Sequence, residues 1–200
     1  MKKKIYVILL ILVLIMCSPI SVFAEELHFK KLSFNMKEYW YYVTKDNIDG
    51  NSSISEFGVT EEYMKNLFET QSIYCEGVYK YTDNKEEWLE VYLQIFELDL
   101  DQKVNFNKVS DSEILEFGES MFESVNADYV KIETISDNKY VVAKYNDSVA
   151  LNSGVVNANI LQYYTIQDNV GYSFKFQKIN DFLIGNERVM NELLSDVKFE

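Results

Sequence analysis

The sequence predicts an α+β fold: an antiparallel sheet with about three packed helices, in an α-β-α sandwich-like arrangement. Three observations lead there. Apolar residues recur with period two in some stretches and at helical spacing in others, and the two patterns interleave along the chain. The period-two stretches come in pairs joined by short runs of Asp, Asn, Ser and Gly, which favours hairpins and antiparallel pairing. Strand and helix do not alternate regularly, and no Gly-rich phosphate turn follows a strand, so a parallel sheet is not indicated.

Leu32, Phe34 and Met36 alternate with polar residues and read as a strand, and residues 39–43 continue in strand-forming types. Thr60-Glu61-Glu62 opens a helix: Thr60 can cap the free amides, the acids suit the positive end of the dipole, and Val59 with Met64 is placed as a hydrophobic staple. Tyr63, Met64, Leu67 and Phe68 fall on one face. Residues 73–81 and 88–98 read as strands joined near Asp83-Asn84. In the second of these, Leu89, Val91, Leu93 and Ile95 point one way, and Glu90 and Gln94 stand among aromatics on the other. Apolar residues on both faces suggest a central strand.

Ser110 to Glu113 forms a capping box, Val109 and Ile114 a second staple, and Ile114, Leu115, Gly118, Met121, Phe122 and Val125 follow at helical spacing. Two hairpins are expected next. One pairs residues 129–135 with 140–145 through a turn at 136–139, and the other pairs 159–166 with 172–179 through a turn at 168–171. Asn186 is placed to cap a last helix with Val189, Met190, Leu193 and Leu194 on one stripe, and residues 197–199 form a short closing strand.

The run from Gln162-Tyr163-Tyr164-Thr165, through Gly171-Tyr172-Ser173-Phe174-Lys175-Phe176, to Leu193-Leu194-Ser195-Asp196-Val197-Lys198-Phe199 resembles the ending of PsbP/Mog1-like domains. Such domains also occur as small exported proteins of Gram-positive bacteria. In them a hairpin, a helix and a short strand close an α-β-α sandwich. The resemblance extends from about Leu32 to the C-terminus and rests on element order and apolar pattern. It implies a functionally mixed, mostly non-enzymatic group, and it carries no catalytic residue onto this chain.

The chain opens MKKKIYVILLILVLIMCSPISVFAEE. Three lysines, an apolar run over residues 5–16, and small residues at Val22 and Ala24 make residues 1–24 a secretory signal peptide, cleaved after Ala24. Residues 25–200 then form a single α+β domain. Two alternatives stay open. One is an uncleaved anchor, although the run falls short of the ~20 residues that span a bilayer. The other is lipid attachment at Cys17, where Met16 is bulky for the preceding place. The expected location is secreted or at the extracytoplasmic surface, with no membrane span after cleavage. Loss of three lysines takes the formal charge from −13 to −16. Such a surface repels nucleic-acid phosphates and favours cations or basic partners.

Chemistry is sparse. His28 is the only histidine, and Cys75 is the only cysteine left after the leader. That removes the usual zinc ligand sets and makes a Ser-His-Asp triad hang on one residue near the new N-terminus. Cys75 lies in a strand and reads as a core thiol. No catalytic residue is expected. A carboxylate-dependent hydrolase, with or without a bound cation, is the alternative, with Glu87, Glu90 and Glu97 near one strand and Glu116, Glu119 and Glu123 on one helix.

Two stretches are candidate binding sites. KDNIDGNSSISE, residues 45–56, has Gly50 and Glu56 at the sixth and twelfth places of an EF-hand loop. Its first place is Lys45, a cation, and its eighth is the polar Ser52. A solvated turn is expected, with no cofactor; a weak calcium site at Asp46, Asp49 and Glu56 is the alternative. Tyr39-Trp40-Tyr41-Tyr42 is the other. In a strand its alternate rings face opposite ways, so one pair can be core while the other stacks on a sugar or partner protein. The expected function is therefore that of an exported, non-catalytic binding or accessory protein, with a protein or an envelope component as partner. An enzyme would differ by two acids converging in a concave pocket with perturbed titration.

Overall fold

The structure, a computed structural model, describes residues 25–151 and 154–200. The leader, its cleavage after Ala24 and the lipidation alternative at Cys17 lie outside the described residues. Ten strands run β1 (Glu25–Phe29), β2 (Leu32–Met36), β3 (Trp40–Thr44), β4 (Ile73–Tyr79), β5 (Leu89–Glu97), β6 (Tyr129–Ile135), β7 (Asn138–Leu151), β8 (Gly154–Gln167), β9 (Val170–Lys178) and β10 (Lys198–Phe199). The helices are α1 (Ile54–Phe57), α2 (Glu61–Thr70), α3 (Asp111–Phe122) and α4 (Ile184–Ser195). Among them no helix is long and apolar enough to cross a membrane.

Seven strands form one antiparallel sheet in the order β3-β4-β5-β9-β8-β7-β6, and β1-β2-β10 form a second, smaller sheet. On one face of the large sheet lie the small sheet and α4. Leu32, Phe34 and Met36 of β2, Leu89, Val91 and Leu93 of β5, Phe174 and Phe176 of β9, and Met190 and Leu194 of α4 share that core. On the other face two separate cores form. α2 covers the β3-β4 end with Met64 and Phe68 on Val43 and Ile73. α3 covers the β7-β8 end with Ile114 and Phe122 on Val141, Ala143 and Ile160. Helices on one face and a helix with a small sheet on the other give the α-β-α sandwich that the sequence pattern predicts.

The helix starts behave as their residues dictate. Thr60 Oγ1 accepts from the Tyr63 amide at 3.2 Å, and Val59 packs into the same core as Met64. At α3 the capping box is complete: Ser110 Oγ accepts from Glu113 N at 3.4 Å, and Glu113 Oε2 accepts from Ser110 N at 3.3 Å. Asn186 is a correction. It is not the cap of α4 but sits inside its first turn, 1 % exposed, where its Oδ1 accepts from the Leu183 amide at 2.7 Å. The bond is a capping bond, made backwards.

The strands also differ from expectation in three places. β1 precedes Leu32 and pairs along the whole of β2, so His28 lies in a strand and not in a loose terminus. β7 and β8 run on together well past Tyr145, to Leu151 and Gly154. Both hairpin turns have only two residues, Ser136-Asp137 and Asp168-Asn169, all at positive φ between 47° and 67°. This is the primed-turn geometry that matches strand twist. Gly171 is therefore a strand residue. The Tyr164 ring lies against it where a Cβ would stand, so glycine is needed for close approach and not for a turn.

Candidate functional site

Strand register fixes what the α2–α3 face carries, because directly paired residues share a face. One row across the sheet reads Val43, Glu76, Tyr92, Lys175, Gln162, Ala143. The row beside it reads Tyr41, Val78, Glu90, Gln177, Ile160, Tyr145, and on the other side Gln94 pairs with Ser173 and Ser173 with Tyr164. The ends of these rows are mostly apolar and lie under the two helices. The middle is polar. A polar seam thus runs down the central strands β5 and β9, between the two cores.

The seam is internally bonded. Glu90 Oε2 accepts from the Tyr92 hydroxyl at 2.8 Å and from Gln177 Nε2 at 2.9 Å. Gln162 accepts from the Tyr145 hydroxyl at 2.6 Å and donates to Ser173 Oγ at 2.8 Å. Gln94 Nε2 donates to the Gln71 carbonyl at the end of α2, at 2.9 Å. Lys175 Nζ stands 3.4 Å from Asp147 of the long hairpin.

Glu76 is the exception. It is 5 % exposed, and its Oε2 has no hydrogen-bond partner. Burial, and secondarily the charge of Glu90, push its carboxyl up to about 8. Burial raises Glu90 as well, opposed by the bonds from Tyr92 and Gln177. Above the seam is a groove of about 330 Å³. Tyr63 and Leu67 of α2 form one wall and Asp147 the other; Tyr92, Lys175 and Gln177 line the floor.

Of the aromatic stretch, Trp40 is core at 4 % exposure, with its ring 5.7 Å from that of Tyr79. Tyr42 is half-buried on the same side, its hydroxyl on Glu25. Tyr41 is exposed on the seam side, where Lys80 Nζ lies 5.0 Å from its ring centre and 4.1 Å from that of Trp88. Tyr39 is exposed too. It contacts Tyr79 edge-on at 5.1 Å and donates to Glu192 of α4 at 2.8 Å.

The loop at residues 45–56 turns its side-chain oxygens inward. Asn47 Oδ1 accepts from Thr44 N at 2.7 Å and from Asn51 Nδ2 at 2.9 Å, and Asn51 Oδ1 accepts from Ser53 N at 2.8 Å. Asp46 is exposed, Asp49 pairs with Lys65, and Glu56 pairs with Lys80 at 2.6 Å. The hydrogen bond from Lys65 holds the Asp49 carboxyl below the usual range. The structure does not bring these three carboxylates together: among the described residues no three metal-binding groups form a cluster.

Cys75 is 2 % exposed, and burial pushes its thiol well up. Native protein is expected to resist a thiol reagent such as a maleimide, with labelling appearing only in denaturant. Ready labelling of the folded form would contradict this burial.

Sequence reasoning singled out Glu90 but missed Glu76, Tyr92, Lys175 and Gln177. The available signal was a lone glutamate in the otherwise apolar run Ile73–Tyr79, and the polar alternation Lys175-x-Gln177 in a central strand.

The architecture is that of the PsbP/Mog1-like sandwiches, and the chain has a PsbP-like fold. The solution structure of cyanobacterial PsbP from Synechocystis matches it with a TM-score of 0.50 at 10 % identity, covering 92 % of this chain and 97 % of that one. A protein from Bacteroides thetaiotaomicron matches at a TM-score of 0.44 and 9 % identity, over 85 % of this chain and 45 % of that chain, so this chain spans less than half its length. No family model and no curated protein matches the sequence.

Proposed function

We propose that this is an exported, non-catalytic binding or accessory protein of the cell envelope or extracellular space, which holds a ligand or partner in the groove between α2 and the β7-β8 hairpin. The leader pattern supports export. The observation that carries the binding reading is the polar seam itself. A sheet face that packs two apolar cores carries polar and phenolic side chains between them, and Glu76, Gln162, Ser173 and Gln177 are buried there, at the expense of core that a larger helix layer would have provided. A groove with aromatic walls and a few placed polar groups is the usual form of a ligand site. Tyr39 and Tyr41 of the aromatic stretch offer a second, exposed contact surface; Trp40 and Tyr42 support it from below. The test is capture of a partner from native envelope by residues 25–200. Tyr63→Ala, at a wall position 54 % exposed, is expected to abolish capture at an unchanged melting temperature. Undiminished capture would remove the groove from the reading.

A second reading, a carboxylate-dependent hydrolase, is favoured by one observation: Glu76 and Glu90 stand diagonally on one sheet face, and burial raises both carboxyls, that of Glu76 to about 8. Binding is preferred because Tyr92 lies opposite Glu76 and gives its hydroxyl to Glu90, so its ring occupies the space a scissile bond would need. Glycoside turnover by the purified protein, lost in Glu90→Gln, would reverse that preference.

The proposed protein works without a resident cofactor. Its melting temperature is expected to be the same in calcium and in chelator; a rise of several degrees with calcium would establish a site in the 45–56 loop.

A further inference from the structure

We propose that β6 pairs with β6 of a second copy of this chain, antiparallel across a two-fold axis at Ile132, so that two large sheets become one. The inference stands on the free edge of the sheet and does not depend on the groove.

The seven-stranded sheet has two edges, β3 and β6, and the chain treats them differently. At β3 the outward backbone groups are taken by the chain itself. Trp40 N donates to the Lys37 carbonyl at 3.0 Å, the Tyr42 carbonyl accepts from Asn51 Nδ2 at 3.3 Å, and Thr44 N donates to Asn47 Oδ1 at 2.7 Å. At β6 the turn sets the phase. Its two residues, Ser136 and Asp137, make Ile135 and Asn138 the closing hydrogen-bonded pair. Alternation then turns the backbone groups of Tyr129, Lys131, Glu133 and Ile135 toward β7, and those of Val130, Ile132 and Thr134 outward. Among the described residues no hydrogen bond closes these outward groups. An open edge of this kind is a template for another strand.

The residues of β6 say which strand fits. Tyr-Val-Lys-Ile-Glu-Thr-Ile is complementary to its own reverse. With the axis at Ile132, Lys131 faces Glu133 of the second copy, and Glu133 faces its Lys131. Tyr129 faces Ile135, Val130 faces Thr134, and Ile132 faces its own counterpart. These are opposite charges, an aromatic on a β-branched residue, and β-branched pairs, all of them favourable across strands. Only this axis pairs all seven residues. An axis at Lys131 or Glu133 sets like charges directly opposite each other, which destabilises. Charges on an edge strand commonly discourage pairing. Here Lys131 Nζ lies 2.6 Å from Glu133 of its own strand, and the axis brings two such pairs together with their signs alternating. The same charges that admit a second copy therefore reject strands of a single sign.

The axis stands perpendicular to the sheet, so each face continues across it. Both grooves then open on one side of the dimer, and a partner with repeated sites meets two of them at once.

The experiment is sedimentation velocity of residues 25–200 over a concentration series, with amide hydrogen exchange measured at its two ends. A single strand pair is a small interface, so the association is weak. Expected are a mass that moves from one copy toward two as concentration rises, and exchange at Val130, Ile132 and Thr134 that slows several-fold with it. Lys131→Glu and Glu133→Lys are each expected to abolish self-association at an unchanged melting temperature, because each sets like charges across the axis. An equimolar mixture of the two variants is expected to restore it, since every facing pair in the mixed dimer is again opposite in sign. Where either variant folds poorly, the wild-type exchange pattern decides. A wild-type protein that stays a single copy throughout, self-association that survives both substitutions, or variants that stay apart when mixed overturns the proposal. Protection of the three amides only after envelope extract is added would make the partner a foreign strand, and it too overturns self-pairing.

Discussion

Trp40→Ala is expected to destabilise the protein by about 3–5 kcal/mol, whereas Tyr41→Ala, its neighbour, should change stability by no more than about 0.5 kcal/mol. The two residues are adjacent in β3 and point to opposite faces. Trp40 is 4 % exposed in the core beneath the small sheet, and Tyr41 is 41 % exposed. The backbone opposite is cut to fit the indole. A Cβ on Gly77 would lie 3.3 Å from Trp40 Cε3 and 3.0 Å from a Val91 methyl, so glycine makes the room that the ring fills. Truncation to alanine leaves a void against β4, which is paired on both sides, and against the small sheet, and these cannot collapse freely onto it. Tyr41 loses only a partly wet ring and its contact with Lys80. Urea unfolding of the two variants decides the matter. A Trp40→Ala loss below about 1 kcal/mol would mean that the ring is not part of the core. The practical consequence is that loss of binding in Trp40→Ala says little about recognition; Tyr41 and Tyr63 are the informative positions.

Local patterns in this chain were legible where a single element contains its own signal. The capping box at Ser110, the staples at Val59 and Val109, and the alternation of β5 all act within a few residues. Each of them is present in the structure. What could not be read depends on partners far away in sequence. β1 exists because β2 offers it an edge, not because Glu25–Phe29 has strong strand character. β7 and β8 lengthen because each pairs the other, through residues too polar to signal a strand alone. Gly171 looked like a turn residue, and the Tyr164 ring that explains it comes from the neighbouring strand. The polar seam was hidden for the same reason. Glu76, Tyr92, Lys175 and Gln162 come from four strands, and only the register lines them up. In sequence each is one polar residue in an apolar run, which is also how a strand with one wet face looks.

Glu76→Gln is expected to become more stabilising, relative to wild type, as pH rises from 4 to 8. The Glu76 carboxyl is held at about 8 in the folded protein, chiefly by burial, against about 4.3 in an unfolded chain. Between those values the folded state keeps a proton that the unfolded state has lost. Stability therefore falls with rising pH; the contribution is whole below about pH 4 and gone as pH passes 8. Integrated over that window the loss is on the order of 3–5 kcal/mol. Glutamine carries no proton to lose, so the variant escapes it. Its amide brings donors that also need partners in the same buried place, a penalty of about 1–3 kcal/mol. That penalty does not depend on pH, so the change in the difference between the two proteins isolates the carboxyl. The exposed ion pairs, such as Asp49 with Lys65 and Asp168 with Lys31, titrate in the opposite direction, but they are common to both proteins and cancel. Thermal or urea unfolding at pH 4, 6 and 8 measures the difference, and a constant offset across that range would mean that Glu76 ionises as an ordinary surface acid. A rising difference would mean that the fold keeps, in its buried polar seam, a carboxyl that weakens it at neutral pH.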